Sequence, residues 1–229
     1  MGFFSESLQT AFSLIMSMDR EVYTTVWTSI YVSIWSTLFA SVIGIPAGIT
    51  IGIGTFPLKG ALTTTLNTLM ALPTVVVGLV VYGMISRQGP LGQLGLLFTP
   101  KAMVLGQTLL AIPIITNYTL STIEGADKRI LPTALTLGAG PLQGVLQLVR
   151  EERYGVMAAV IAGFGRVIAE VGAAMMLGGN IRGYTRTMTT AIAMETSKGE
   201  FAFGLALGIV LLAVAFLVNL ALNILQQQR

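Results

Sequence analysis

Long stretches without any charged residue are the feature that most restricts how this chain can fold. Four apolar stretches contain no Lys, Arg, Asp or Glu, and they lie between Glu21 and Lys59, Lys59 and Arg87, Lys101 and Glu124, and Glu200 and Arg229. Each is long enough for the roughly 20 residues that a helix needs to cross the hydrocarbon core of a bilayer. The sequence therefore predicts an integral membrane protein built from helices.

A fifth apolar stretch, residues 154–178, is interrupted only by Arg166 and Glu170. Charged residues make up 10% of the chain, whereas a soluble domain carries roughly 25%. The strands of a membrane β-barrel would alternate in polarity over about 10 residues, and these stretches do not. The prediction is an all-α membrane protein with a transmembrane domain over residues 21–225. Its five spans are predicted at about 26–54, 61–86, 102–123, 154–178 and 202–225.

The segment before the first span, residues 1–20, has its own pattern. Leu8, Phe12 and Ile15 recur at helical spacing and alternate with polar residues such as Glu6. This pattern favours an amphipathic helix on the membrane surface, and a frayed apolar tail is the alternative. The first basic residue is Arg20, so we expect no cleavable signal peptide, which would begin with a basic region.

Two residue types that often act in catalysis and metal binding are missing from the sequence. It contains no cysteine and no histidine, which excludes disulfides, thiol catalysis and histidine-based metal sites. A P-loop would need Gly-x-x-x-x-Gly-Lys followed by Ser or Thr, and the chain has no such pattern. The small net charge of +3 gives no indication of a nucleic-acid partner. We therefore expect no catalytic residue, no metal site and no nucleic-acid binding.

Glycines in the first span are spaced for close helix packing. Gly44, Gly48 and Gly52 form a ladder of small residues four apart, which lets another helix backbone approach closely. Pro46 lies inside this span and Pro113 inside the third, and each is expected to bend its helix. The ladder predicts helix packing rather than a ligand site.

The connection at about 127–152 lies between two clusters of charged residues. It has apolar positions but too many glycines and prolines to span a bilayer. It predicts one or two short helices outside the membrane, joined at Gly140 and Pro141. Placing this connection in the cytoplasm puts as many Lys and Arg residues inside as outside, so charge counting leaves the orientation open.

Residues 132–139, Pro-Thr-Ala-Leu-Thr-Leu-Gly-Ala, resemble the coupling loop of permease subunits in binding-protein-dependent ABC importers of the type-1 class. Oxyanion members of that family often have Glu-Ala-Ala-Arg-Thr-Leu-Gly-Ala. The chain keeps the second Ala, the Thr-Leu-Gly-Ala and the spacing, and it departs at Pro132 and at Arg150-Glu151. The resemblance implies that the loop docks on an ATPase through Thr133, Ala134, Leu137, Gly138, Ala139 and Gly140.

Further segments carry the same resemblance in the same order, over about residues 20–225. Residues 164–173 align with the family's Phe-Ala-Arg-Ala-Leu-Gly-Glu-Phe-Gly-Ala. Residues 72–78 and 89–92 resemble the Leu-Pro-Pro-x-Val-x-Gly and Gly-Pro-Leu-Gly of molybdate and sulfate permeases. Within this group, residues 179–192 and 195–201 are most similar to those of the tungstate importers.

The resemblance implies an ATP-driven oxyanion importer permease, most similar to those for tungstate, with molybdate or sulfate as the alternative. Its partners would be a second copy of the chain, a cytoplasmic ABC ATPase dimer that holds ATP and Mg²⁺, and an extracytoplasmic oxyanion-binding protein. The chain itself would bind no cofactor. A cytoplasmic coupling loop in a bacterial or archaeal cytoplasmic membrane implies that the N-terminus and the connection 179–200 face outward and that Arg229 faces inward.

Arg166 and Glu170 are the charged residues inside a predicted span. Their spacing of four places both on one face of a continuous helix, in a stripe of small residues. Charged side chains in lipid are unfavourable, so this face is expected to meet the protein interior or a wet pathway. Two hypotheses stay open, a static ion pair and a gate or pathway lining.

Arg182 and Arg186 lie in the connection between the last two predicted spans. They either form ion pairs with a docked binding protein or attract an incoming oxyanion by their positive potential. Four neighbouring hydroxyls are hydrogen-bond donors suited to a tetrahedral dianion, and they belong to Thr185, Thr187, Thr189 and Thr190.

A different class of membrane protein must also be weighed. A self-contained secondary transporter or channel could use Arg166 and Glu170 as an ion site. Such folds usually contain internal repeats, and none is recognised in this sequence. A third class, a non-transporting subunit of a membrane assembly, has no positive feature in its favour.

Overall fold

The computed structural model describes residues 2–227, except for the side chains of residues 222, 223 and 225–227. Within these residues the fold is all-α, as predicted, with one short 3-10 turn at Gly92–Leu94. The helices are α1 (Phe3–Met16), α2 (Arg20–Ile53), α3 (Lys59–Met70), α4 (Thr74–Ile85), α5 (Pro100–Gly125), α6 (Ile130–Thr136), α7 (Pro141–Glu151), α8 (Arg153–Ile168), α9 (Gly172–Gly178), α10 (Met188–Lys198) and α11 (Phe201–Gln227).

The N-terminal segment forms the predicted helix, and it packs against the last helix. Ser7 and Ala11 of α1 are buried, and the ring of Phe3 lies 5.5 Å from that of Phe201 at the start of α11. Met18 then adopts a left-handed backbone conformation with φ of 54°. The Asp19 carboxylate accepts hydrogen bonds from two backbone N–H groups of the first turn of α2. This cap starts α2 at Arg20, six residues before the predicted span.

The centre of the bundle is the parallel pair α2 and α5. A Cβ atom on Gly44 would lie 3.1 Å from Ile115, and one on Gly52 would lie 2.8 Å from Ile123. At Gly48 the same atom would lie 2.6 Å from the Thr116 carbonyl oxygen, so the two backbones touch at this point. The predicted role of the glycine ladder in helix packing is confirmed.

Two of the predicted continuous spans are broken in the structure. α3 and α4 are bent by 93° at Pro73, and α8 and α9 are bent by 61° around Glu170. Proline has no N–H and disfavours a helical conformation in the residue before it, which explains the first break. At the second break, one carboxylate and one hydroxyl inside the protein bind the released backbone groups, as described below.

Three helices are long and apolar enough to cross a membrane without interruption: α2, α5 and the described apolar part of α11, Phe201–Ala221. Each bent pair passes the same test as a unit, which gives up to five spans. An odd number of membrane crossings would place the segments before the first span and after the last span on opposite sides of the membrane.

The two ends of the bundle differ in chemistry. At one end, Ile123 and Ala126 at the end of α5 are buried against Leu148 of α7. At the other end, ion pairs connect the beginning of α2, the connection before α10 and α10 itself. α2 and α5, which contain most of the predicted spans 26–54 and 102–123, run in the same direction between these ends.

We predict that Gly48→Ala destabilises the protein, because its methyl group would overlap the backbone of α5. Overpacking of this kind costs about 1–3 kcal/mol, so the thermal unfolding midpoint of the detergent-solubilised protein is expected to fall. Gly208→Ala is the matched control, since a Cβ there meets no atom within 4 Å. Equal midpoints for the two variants would contradict the close packing of α2 on α5.

Candidate functional site

The segment predicted to form a coupling loop folds as a helical hairpin. We call α6, the turn over residues 137–140 and α7 the coupling hairpin. Gly138 has φ of 92°, which side chains other than glycine rarely adopt. The Gly140 N–H donates to the Gln143 side chain at the start of α7, and Gly144 lets α7 approach Leu131 of α6. The two short helices expected from the sequence are present, joined at the expected position.

The concave face of this hairpin brings together four of the six predicted coupling residues: Thr133, Ala134, Leu137 and Ala139. They line a groove of about 1070 Å³ together with charged residues just before α6 and at the end of α7: Asp127, Arg129, Arg150 and Glu151. Gly138 and Gly140 form the turn beside it. Leu137 is 83% exposed, so its apolar side chain has no cover within the described chain. At the start of the hairpin, hydrogen bonds from Arg129 hold the pKa of Asp127 at about 2.

Arg166 and Glu170 form an ion pair, with 2.8 Å between Arg166 Nη1 and Glu170 Oε2. The Glu170 side chain is only 2% exposed, whereas that of Arg166 is 39% exposed. The expectation that both residues belong to one continuous helix with a stripe of small residues is wrong. α8 ends at Ile168, and Glu170 lies in the break that follows.

The break at Glu170 is stabilised by polar groups of the protein itself. The second carboxylate oxygen of Glu170 accepts a hydrogen bond from the backbone N–H of Ala173, at the start of α9. The Thr189 hydroxyl donates to the Glu170 carbonyl oxygen at 2.7 Å. Unpaired backbone groups are costly away from water. Glu170 therefore acts as a helix cap as well as an ion-pair partner.

The helix break at Pro73 lies against the helix break at Glu170. A Cβ on Gly172 would lie 3.0 Å from the Thr74 hydroxyl oxygen, and one on Gly78 would lie 3.0 Å from the Ala173 Cα atom. Small residues thus allow α4 and α9 to touch directly after each break. This junction was not predicted, because its residues lie about a hundred positions apart and share no sequence pattern.

At the opposite end from the coupling hairpin, Arg182 and Arg186 belong to a charge cluster, which we define as Glu21, Arg182, Arg186, Glu195 and Lys198. Arg186 is 3% exposed and binds Glu21 at 2.7 Å and Glu195 at 3.1 Å. Arg182 is 61% exposed, and its Nε lies 3.2 Å from Glu21. The two arginines thus differ, because only Arg182 presents its side chain to the surface.

Glu195 is the buried centre of the charge cluster. Burial alone would raise its pKa, but a hydrogen bond from Lys198 and the charges of Lys198, Arg186 and Arg182 hold the pKa below its ordinary value. Sequence reasoning missed both carboxylates of the cluster. Glu21 is 165 residues from Arg186, and no sequence pattern connects them.

The threonine hydroxyls after Arg182 are also bound within the chain. Thr185 donates to the Gly178 carbonyl oxygen, Thr190 to Asn180, and Thr187 contacts both Thr189 and Thr190. All four threonines are buried. The expectation that these hydroxyls face an incoming anion is therefore wrong for this arrangement of the chain. Among the residues described, no group of three or more Asp or Glu side chains is placed to hold a metal ion.

A helical bundle with bent spans, a coupling hairpin at one end and a charge cluster at the other defines a multi-pass membrane transport component. Residues 44–229 match the family described as binding-protein-dependent transport system inner membrane component. The chain belongs to this family, which confirms the prediction of a permease subunit rather than an enzyme.

Individual relatives agree with this assignment. The chain is 41% identical over 228 residues to a tungstate uptake system permease protein of Peptoclostridium acidaminophilum, covering 100% of both chains. It is 46% identical over 164 residues to the protein of the same description in Campylobacter jejuni, covering 72% of this chain and 69% of the relative. A molybdenum transport system permease protein of Azotobacter vinelandii is 33% identical over 72% of this chain and 76% of its own.

The fold itself is similar to a solved structure of lower sequence identity. A methionine ABC transporter in an inward-facing conformation gives a TM-score of 0.75 at 18% identity, covering 93% of this chain and 97% of the other. The predicted all-α importer permease fold is thereby confirmed.

We predict that Arg166→Met destabilises the protein more than the double variant Arg166→Met with Glu170→Gln. The single change leaves a buried carboxylate without its cation, at a cost of about 2 kcal/mol. Glutamine removes that charge and keeps an oxygen for the Ala173 N–H. Thermal unfolding of both variants measures the difference, and a double variant less stable than the single one would show that the residues are not coupled.

Proposed function

We propose that this chain is the permease subunit of an ATP-driven importer and that the transported oxyanion is tungstate. The observation that carries the proposal is the full-length similarity to a tungstate uptake permease, together with the retained coupling loop. The more distant molybdenum relative makes molybdate the second candidate. The chain supplies a route through the membrane, and the chemistry of ATP hydrolysis belongs to another subunit.

The coupling hairpin is proposed to dock on a cytoplasmic ABC ATPase. Leu137 and Leu142 are large apolar side chains exposed on this hairpin, and burying them against a partner would be favourable. The groove between α6 and α7 adds a surface lined by Thr133 and Ala134. ATP and Mg²⁺ would be held by that ATPase dimer, and the permease itself would carry no cofactor.

A cytoplasmic hairpin determines the proposed orientation. α1 and the charge cluster would then lie on the outer side of the cytoplasmic membrane, and α11 would run inward. Arg229, expected on the inner side, lies outside the described residues. A second copy of the chain is proposed to complete the route, because polar residues of α3 and α5 such as Asn67 and Ser121 are exposed on one side of the bundle.

The charge cluster is proposed to meet the extracytoplasmic binding protein or its anion. It contains three cationic and two anionic side chains, so it presents an excess of positive charge. Arg182 carries this role because it is exposed, and the buried Arg186 holds Glu21 and Glu195 in place around it. The positive potential would favour both an acidic rim and an arriving dianion.

Arg166 and Glu170 are proposed to have separate roles. Glu170 is buried and caps α9, so it maintains the break in the helix. Arg166 is partly exposed on the bundle and extends from the same break. This arrangement supports a pathway role for the Arg166 side chain and a static role for Glu170.

The substrate is tested by uptake of isotopically labelled tungstate into cells that express the permease with its ATPase and binding protein. We expect tungstate uptake to persist in an excess of sulfate and to fall less in excess molybdate than in excess unlabelled tungstate. Tungstate, molybdate and sulfate are similar dianions, so their competition for uptake identifies the preferred substrate. Preferential uptake of a cation or an uncharged solute would end the proposal.

We predict that Gly138→Arg abolishes assembly with the ATPase while the permease still inserts into the membrane. In the permease alone, a Cβ at Gly138 meets no atom within 4 Å, so the long side chain would project toward the partner. Gly138→Ala is the matched control, because it shares the backbone strain at φ of 92° without the bulk. Copurification measures assembly, and an intact complex with Gly138→Arg would contradict docking at this turn.

A further inference from the structure

The exposed surface of α3 and α5 has an unusual polarity for helices of a membrane bundle. Thr64, Asn67 and Thr68 share one face of α3, since they are three and four residues apart. Asn117 and Ser121 share the adjoining face of α5, four residues apart. We call these five residues the polar strip, and all of them are exposed or half-buried.

The polar strip follows the helix axis. At its inner end the Lys59 ammonium lies 2.9 Å from the Glu124 carboxylate, and further along the Asn117 amide donates to the Asn67 amide oxygen at 2.9 Å. These two contacts show that α3 runs antiparallel to α5. Lys59 and Asn67 are separated by roughly 12 Å along α3 at 1.5 Å per residue. The strip therefore extends from the end that carries the coupling hairpin well into the bundle.

The asparagine pair is the part of the strip that lipid cannot accommodate. The hydroxyls of Thr64 and Thr68 donate to carbonyl oxygens of their own helix, so they need no other acceptor. In the Asn67–Asn117 pair, the Asn117 amide donates to the Asn67 amide oxygen and to the Met70 sulfur. The NH₂ group of Asn67 has no partner among the side chains that the structure describes. A free amide costs several kcal/mol in hydrocarbon, so water or a polar ligand is required there.

The opposite edge of α3 provides the contrast. Leu62 and Leu69, seven residues apart, occupy this edge and are also exposed. They suit contact with lipid or with an apolar protein surface. The same short helix thus has one edge suited to an apolar environment and one face suited to a polar environment. This asymmetry determines the rotation of α3 about its own axis.

We propose that the polar strip lines a water-filled inner half of the translocation route, and that Asn67 donates hydrogen bonds to the oxyanion as it passes. This inference rests on the proposed import of an oxyanion. Neutral amides bind a dianion less strongly than arginine does, which suits a surface that must release its ligand. The nearest cation on these helices, Lys59, is already paired with Glu124.

Water access is tested directly, because the chain has no cysteine of its own. Asn67→Cys and Thr64→Cys are compared with Leu69→Cys in inverted membrane vesicles that contain the full complex, using a membrane-impermeant anionic thiosulfonate. We expect the two strip cysteines to react about tenfold faster or more, because the reactive thiolate forms in water and not in an apolar surrounding. Equal rates at the three positions would overturn the proposal. That result would mean that lipid or a second copy of the chain covers the strip and keeps water away from it.

The anion contact is tested with two changes at one position, one that adds a negative charge and one that stays neutral. Asn67→Asp still accepts the bond from Asn117 but adds a negative charge, and we expect oxyanion uptake to fall about tenfold or more through repulsion. Asn67→Ser stays neutral and keeps one hydrogen-bond donor, so we expect it to lower uptake by a smaller factor than Asn67→Asp does. Undiminished uptake with Asn67→Asp, in a complex that assembles normally, would overturn the contact.

The outcomes also separate this inference from the proposed function. If the unaltered complex imports no oxyanion, the proposed function fails, and the labelling rates still report whether the strip is wet. If the unaltered complex imports tungstate while the strip cysteines react no faster than Leu69→Cys, the strip proposal alone fails.

Discussion

The close contact between α2 and α5 is the interaction on which the other helices depend. Gly48 and its two neighbours in the ladder let the backbones meet, and α5 then offers its remaining sides to other elements. α8 packs on it through Gly163 against Ile115, and α3 binds it through paired polar side chains. In a bilayer no hydrophobic force between helices compensates for a poor fit. The close fit between α2 and α5 therefore determines where α3 and α8 lie.

Breaks in the helices give the bundle its functional geometry. A backbone that leaves the helix at membrane depth must find partners inside the protein. Glu170 and Thr189 supply them at one break, and Pro73 reduces the need at the other because it has no N–H. The charged residues inside the spans thus have a structural reason to exist before any transport role is assigned to them.

The sequence predicted the features that depend on local composition. Charge-free stretches predicted the long apolar helices α2, α5 and α11, the glycine ladder predicted a packing seam, and Gly140 with Pro141 predicted the joint of the hairpin. The break at Glu170 was missed because no proline or glycine lies at the residue itself and the partner Thr189 is distant in sequence. Arg182 and Arg186 could not be told apart, since their burial depends on Glu21 at the far end of the chain.

The contact between the first and last helices has a consequence for biogenesis. The buried face of α1 at Ser7 and Ala11 packs on α11, and Phe3 contacts Phe201. During synthesis the N-terminal helix leaves the ribosome long before its partner exists, and so does Glu21 before its arginines. The bundle can close only after α11 has been made, so α1 reaches its final place later than helices that are synthesised after it.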